Sequence, residues 1–302
     1  MKYRALGHSG IQVSTIGLGC MSLSASREQE GVALIHRAIG HGINFIDTAD
    51  LYEKGLNESL VGKALQGKRD QVILATKVGN QWRPDGIGWD WNPSPAHILA
   101  SVDASLRRLG TDYIDLYQLH GGTIEDPIDD TIAAFEQLVS LGKIRYYGIS
   151  SIRPNVIRAY VGRSRITSVM MQYSLLDRRP EEAMLSLLEA HQIGVLVRGA
   201  LAQGLLIDKP ARPYLAHPEA AVERLQQAVR ACAGTGRPAT DIALHYVLDH
   251  PAVTSAVIGM RSPQHLDAAL QALDSPRLLP AQRTQLASPV PPLLYTEHRE
   301  TP

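Results

Sequence analysis

A repeated unit constrains this chain most strongly: a short apolar run is followed by a longer stretch with helical spacing of apolar residues. Eight such runs, rich in Ile, Val, Leu and Tyr, are predicted as strands, at residues 16–21, 45–48, 72–77, 113–119, 146–150, 168–173, 195–198 and 255–258. Helices are predicted at residues 28–40, 58–65, 95–109, 130–141 and 181–191. Helical crossovers imply parallel strands, and eight units favour an α/β fold closed as a (β/α)8 TIM barrel.

Two further segments flank the repeat. RALGHSGIQVS has a turn at residues 8–10 between two short extended pieces, which predicts an N-terminal β-hairpin covering the bottom of the barrel. Residues 276–287 predict an additional C-terminal helix, and the proline-rich end, SPVPPLLYTEHRETP, predicts an irregular tail. Because no Gly- or Pro-rich linker divides the pattern, we expect a single barrel domain over residues 1–302.

The charge balance and the cysteine count exclude several classes of partner. Thirty Lys and Arg against thirty Asp and Glu give zero formal net charge, so the chain lacks the excess of positive charge that is typical of proteins that bind nucleic acid or an anionic membrane. No apolar run approaches the roughly 20 residues of a membrane helix, and MKYRALGHSG lacks the apolar core of a secretory signal. Two cysteines are too few for a disulfide framework. We expect a cytoplasmic protein with a small-molecule partner.

The predicted strands end in polar residues. The second run finishes FIDTADLY, the third ILATKVGN, the fourth LYQLHGG and the fifth YGISS. In a parallel barrel these ends meet at one mouth, where active sites lie. The pattern therefore places Asp47, Tyr52, Lys77, His120 and Ser150 around one site.

Six segments, taken in order, resemble the aldo-keto reductase family: GINFIDTADLY, NESLVGKAL, ILATKVG, TDYIDLYQLH, GKIRYYGISS and ALAQGLL. The resemblance runs from about residue 3 to about residue 285. Each match is short, but their shared order and their fit to successive strand ends make the set specific. The resemblance implies a soluble, bacterial-type NADPH-dependent reductase of aldehydes or ketones, whose catalytic tetrad is Asp47, Tyr52, Lys77 and His120.

Carbonyl reduction explains the need for these residue types. Hydride addition develops negative charge on the carbonyl oxygen, which a proton donor must quench, and Tyr52 is expected to be that donor. Lys77 beside its oxygen would favour the ionised form and ease proton exchange in the oxidative direction. Asp47 would hold the ammonium group, His120 would orient the carbonyl, and no metal is expected. Each residue taken singly has an ordinary structural alternative, so the assignment rests on the joint match.

The resemblance also implies a nicotinamide site across the mouth. Ser150 and Gln172 are expected to bind the carboxamide, although Ser151 replaces the Asn that commonly follows the Ser in this family. Arg198 stands where many members have an aromatic residue stacked on the nicotinamide. Its planar guanidinium is expected to stack or to contact phosphate, the alternative being an Arg that points to solvent or pairs with a carboxylate.

Two later segments are expected to hold the cofactor phosphates. RGALAQGLL resembles the family's diphosphate-binding loop, where small residues and backbone N–H groups approach the ligand; the candidates are Gly199, Leu201, Gly204 and Leu205. VIGMRSPQHLDAAL resembles the helix start that binds the adenosine 2′-phosphate; the candidates are Gly259, Arg261, Ser262, Gln264 and His265. Ala269 replaces an Asn that often contacts the adenine.

The segment NQWRPDGIGWDWNPSP follows the third run and contains all three tryptophans of the chain. Because loops after barrel strands commonly form the substrate pocket, Trp82, Trp89 and Trp91 are candidate walls or lids. The alternative is packing onto the barrel, which we expect for at least one of them.

Two other functional classes compete with a reductase. One is a regulatory protein that retains the barrel and the cofactor site, as potassium-channel β subunits resemble reductases. The other is a barrel metallohydrolase using His120 and Asp47, which lacks a convincing third ligand. The intact tetrad favours the enzyme, with aldehydes expected before ketones, and the family resemblance predicts a monomer.

Overall fold

A computed structural model describes residues 1–299, and over this range the chain forms strands and helices in the predicted alternation. The strands are β1 (Tyr3–Ala5), β2 (Gln12–Ser14), β3 (Ile16–Gly19), β4 (Phe45–Asp47), β5 (Ile73–Val78), β6 (Asn80–Trp82), β7 (Trp89–Trp91), β8 (Ile114–Leu119), β9 (Ile144–Ser150), β10 (Ser168–Gln172), β11 (Gly194–Arg198) and β12 (Val253–Gly259). Eight of them, β3, β4, β5 and β8 to β12, form a closed parallel barrel. This confirms the predicted (β/α)8 fold.

Each of the eight predicted runs coincides with one barrel strand, and no boundary differs by more than two residues. Their residues are buried almost throughout because the barrel interior covers one face and helices cover the other. The barrel closes where β12 pairs with β3, with Gly259 opposite Gly19.

The helices are α1 (Glu28–Gly40), α2 (Leu56–Leu65), α3 (Pro95–Leu109), α4 (Ile128–Ser140), α5 (Pro154–Arg163), α6 (Met184–Ala190), α7 (Glu219–Ala233), α8 (Ala239–Leu248), α9 (Pro263–Asp274) and α10 (Pro280–Ala287). The predictions for α1 and α3 match to the residue. Helix α6 is shorter than predicted, because a separate 3₁₀ turn occupies Arg179–Glu182. The added C-terminal helix begins at Pro280 rather than at residue 276, since this proline occupies the first helical position.

The hairpin β1–β2 closes the lower end of the barrel, as predicted. Leu6 and Val13 pack against Phe45, Leu116 and Leu196 in a core inside the barrel. Gly7, with φ of 55°, lies so close to neighbouring backbone that an added Cβ would be 2.4 Å from the Thr167 oxygen. The lower end is therefore tightly packed.

The tryptophan segment forms an antiparallel hairpin of β6 and β7, where the sequence had indicated only a loop. Trp82 lies opposite Trp89, and such aromatic pairs stabilise short strands. Residues 288–299 contain no helix or strand, which agrees with the predicted tail; residues 300–302 of that prediction lie outside the described residues. Over residues 1–299, no helix combines the length and the apolar character needed to cross a bilayer.

Candidate active site

Three neighbouring barrel strands bring the predicted tetrad together. Asp47 is the last residue of β4, Lys77 lies near the end of β5, and His120 directly follows β8. Because these strands are parallel and adjacent, their carboxyl ends meet at the upper mouth. Tyr52 lies in the turn after β4 and reaches the same point.

Lys77 is the centre of the contacts. Its Nζ donates hydrogen bonds of 2.7 Å to Asp47 Oδ2 and 2.7 Å to the Thr48 carbonyl, and lies 3.4 Å from the Tyr52 hydroxyl oxygen. The Lys77 side chain is 1% exposed. Burial lowers the pKa of its ammonium group, but Asp47 and then Tyr52 outweigh burial, so that the pKa is raised overall. Lys77 therefore stays charged beside the Tyr52 oxygen.

His120 faces the Tyr52 ring edge to face, with 6.0 Å between the ring centroids. Burial, and then the positive charges of Lys77 and Arg198, lower the pKa of the imidazole to about 3. The ring is therefore neutral near pH 7, and one of its nitrogens carries a proton. Such an imidazole can donate a hydrogen bond, but it is a poor proton source for an alkoxide.

Several supporting residues were not singled out in the sequence. Gln118 donates to Asp47 Oδ1 at 3.4 Å, and Asn80 Nδ2 donates to the His120 carbonyl at 3.1 Å. Asn57 accepts from Thr48 at 2.6 Å. Of these three residues, only Asn57 had a signal in the sequence. NESLVGKAL begins with the polar pair Asn and Glu, and polar side chains on a buried helix face need hydrogen-bond partners.

The turn that carries Tyr52 has an unusual backbone. Glu53, Lys54 and Gly55 follow with φ of 48°, 56° and 86°, all in the left-handed region, which is costly for the two residues that carry a Cβ. The Glu53 carboxylate accepts hydrogen bonds from the Ser24 hydroxyl at 2.6 Å and from Ala25 N at 2.8 Å. These contacts fasten the turn to the segment that follows β3.

Further around the mouth, Ser150, Gln172 and Arg198 occupy the ends of β9, β10 and β11. Arg198 Nη1 donates to Gln172 Oε1 at 3.0 Å, while Gln172 Nε2 donates to the Tyr214 hydroxyl at 3.1 Å. Arg198 is therefore exposed, and its guanidinium pairs with an amide oxygen rather than with a carboxylate. Tyr214, which the sequence did not indicate, joins this group.

The predicted diphosphate segment follows β11 as a tight turn. Gly199 has φ of 73°, and Ala202, Gln203 and Gly204 are also left-handed. The N–H groups of Gly204 and Leu205 already donate to carbonyls within the turn, Gly204 to Leu201. The Leu205 side chain is fully buried, so its contribution is to anchor the turn.

The predicted 2′-phosphate segment lies between β12 and α9, as expected. Ser262 caps α9, and its hydroxyl accepts a hydrogen bond from His265 N. The backbone N–H of Arg261 donates to His265 Nδ1 at 3.3 Å. The Arg261 guanidinium is exposed and takes no part in the Ser262 cap. Gly259 and Gln264 are exposed on either side.

The three tryptophans have different surroundings. Trp91 Nε1 donates to the Asp126 carboxylate at 3.0 Å, and its ring covers Gly79, where a Cβ would lie 2.6 Å away. Trp91 therefore packs the hairpin onto the barrel, in agreement with the expectation of a packing role for at least one of the three. Trp82 lies beneath the Lys54 ammonium, 5.2 Å from the ring centroid, close to the Tyr52 turn. Trp89 is 47% exposed.

The part of the chain that the structure describes contains no group of three His, Cys, Asp or Glu side chains able to hold a metal ion.

Comparisons with known proteins agree with this architecture. The Aldo/keto reductase family model matches residues 15–288. The uncharacterized oxidoreductase YqkF of Bacillus subtilis (strain 168) is 47% identical, covering 99% of this chain and 100% of that protein. The aldo-keto reductase AKR11C1 from Bacillus halodurans, in its holo form, is 48% identical with a TM-score of 0.94, covering 99% of this chain and 100% of the other. The apo form of AKR11C1 has a TM-score of 0.86 at 46% identity, with the same coverage.

Proposed function

The chain belongs to the aldo/keto reductase family, and from that premise we propose that it reduces aldehyde or ketone carbonyls to alcohols by hydride transfer from NADPH. The family itself identifies the chain as an oxidoreductase that acts on small carbonyl compounds with a nicotinamide cofactor. One observation supports the catalytic assignment above the others: a buried ammonium bound to Asp47 lies within 3.4 Å of the Tyr52 oxygen.

The residues at the mouth fit a dinucleotide. Arg198 and Arg261 are exposed cations, and the start of α9 offers the positive end of a helix dipole to a phosphate. The structure of this chain is also more similar to the holo form of AKR11C1, with a TM-score of 0.94, than to the apo form, with a TM-score of 0.86. When bound, NADPH supplies the hydride.

The protein's own residues then complete the reduction. The neutral His120 ring donates a hydrogen bond to the carbonyl oxygen and orients it. Tyr52 transfers its hydroxyl proton to the oxygen as negative charge develops there. The remaining phenolate is stabilised by the Lys77 ammonium, which Asp47 holds in position. Since the His120 ring is neutral, Tyr52 is the better proton donor of the two.

The preference for NADPH over NADH is part of the proposal. An Arg is suited to bidentate binding of phosphate, and Arg261 lies beside the capped start of α9. Ser150 and Gln172 are proposed to bind the carboxamide, and Arg198 to stack on the nicotinamide. Gly199, Leu201, Gly204 and Leu205 are proposed to shape the diphosphate site, while Gly259, Ser262, Gln264 and His265 complete the 2′-phosphate site.

The experiment is steady-state NADPH oxidation with aliphatic, aromatic, sugar and dicarbonyl substrates, aldehydes being expected to react faster than ketones. Turnover of at least one class, lost in Tyr52→Phe, is the expected result. NADPH binding without turnover of any carbonyl would instead support a regulatory protein that retains the cofactor site. Size-exclusion chromatography tests the proposed monomer.

A further inference from the structure

A small cavity lies between the segments that follow β3 and β12. These strands are neighbours, so the two segments leave the barrel side by side. The Ser22 hydroxyl donates to the Met260 carbonyl at 2.9 Å and holds the segments together. Arg27 from the first segment and Arg261 from the second both line the cavity.

The cavity carries more positive than negative charge, because the Arg27 and Arg261 guanidinium groups and the single Glu30 carboxylate line it. Arg261 forms no salt bridge within residues 1–299, and Arg27 has only Glu30, at 3.5 Å, with both side chains more than half exposed. An exposed ion pair of this length contributes little to stability. Because Glu30 offsets only one of the two guanidinium groups, the cavity keeps a net positive charge that favours the binding of an anion.

The hydroxyl groups of the cavity are already engaged. Ser22 donates to Met260, and Ser24 donates to the Glu53 carboxylate at 2.6 Å. The two guanidinium groups are thus the donors left for a ligand. The paired N–H groups of a planar guanidinium match the spacing of two phosphate oxygens. A phosphate is therefore the anion that this pair of arginines suits best.

We propose that Arg27 is a second ligand of the NADPH 2′-phosphate and binds it from the side opposite Arg261. On binding, Arg27 exchanges its weak contact with Glu30 for the phosphate. The cavity adjoins the start of α9, whereas the predicted diphosphate turn follows β11, which favours the 2′-phosphate as the occupant. This inference rests on the proposed function.

The test is the dissociation constant of NADPH and of NADH, measured by fluorescence titration, for Arg27→Gln. We expect the constant for NADPH to rise about tenfold, as for loss of a charge-assisted hydrogen bond, and that for NADH to change by less than about twofold. Arg37→Gln is the matched control. Arg37 lies on α1 and pairs with Asp267 of α9 at 2.9 Å, so its loss removes the same charge nearby without touching the cavity.

The outcomes separate this inference from the proposed function. If Arg261→Ala weakens NADPH selectively while Arg27→Gln leaves it unchanged, the NADPH site stands and the role of Arg27 is overturned. If Arg37→Gln reproduces the effect of Arg27→Gln, general surface charge explains it and the inference is also overturned. If both Arg261→Ala and Arg27→Gln affect NADPH and NADH equally, the proposed 2′-phosphate site itself fails.

Discussion

The Glu53 carboxylate accepts a hydrogen bond of 2.8 Å from the backbone N–H of Ala25, across the gap between two segments that follow neighbouring barrel strands. This contact holds a left-handed turn immediately after Tyr52. It thereby links the proposed proton donor to the segment that lines the cavity of Arg27.

Glu53→Gln keeps one acceptor oxygen but loses the charge and the second acceptor. Glu53 and Lys54 both carry a Cβ and adopt positive φ, at a cost of roughly 1–3 kcal/mol each. Weaker contacts of residue 53 with Ser24 and Ala25 should therefore let the turn relax and move the Tyr52 oxygen away from Lys77. We expect kcat to fall about tenfold, equivalent to roughly 1.4 kcal/mol, with unchanged NADPH affinity. A lower Tm with unchanged kcat would show that the contacts of Glu53 with Ser24 and Ala25 serve stability alone.

Arg261→Ala should raise the dissociation constant for NADPH far more than that for NADH. The reason is that only NADPH carries the 2′-phosphate, and a charge-assisted hydrogen bond is worth about 1.5–3 kcal/mol. Fluorescence titration with both cofactors measures the ratio. Equal effects on the two cofactors would remove Arg261 from the phosphate site.

Trp82→Ala should change substrate choice, whereas Trp91→Ala should mainly lower Tm. Trp82 adjoins Lys54 in the turn of Tyr52, while the Trp91 ring packs against Gly79 and bonds to Asp126. The ratios of kcat/KM across the carbonyl panel and the Tm of each variant separate the two roles. Unchanged ratios in both Trp82→Ala and Trp89→Ala would mean that the hairpin is structural.

His120 should make the folded protein sensitive to acid. Burial, Lys77 and Arg198 lower its pKa from 6.5 to about 3, so between these values the unfolded chain binds a proton that the folded chain does not. The free energy of unfolding therefore falls as the pH drops from about 6.5 towards 3. Urea unfolding from pH 7 to pH 4 should show a shallower decline for His120→Gln, and parallel curves for the two proteins would contradict the assignment.

The strands were predictable because their residues are buried on both faces and therefore read as uninterrupted apolar runs. Helix α8 was not singled out, since every residue of Thr240–Leu248 is buried and the alternation that marks a surface helix is absent. The polar residues at the mouth followed from the strand ends, and their interpretation as a tetrad followed from the resemblance to the family. The partners Gln118, Glu53 and Tyr214 did not, because their contacts depend on side-chain directions that join distant segments.

The most direct test of the proposed mechanism is kcat for carbonyl reduction by Tyr52→Phe, with the NADPH dissociation constant measured on the same sample. The substitution keeps the ring, which faces His120 and lies 5.1 Å from the Lys77 ammonium, and removes only the hydroxyl. Because general acid catalysis typically contributes about 10²- to 10⁴-fold, we expect kcat to fall by at least about 10²-fold while NADPH binds as before. Turnover close to that of the unsubstituted protein would contradict the assignment of Tyr52 as proton donor.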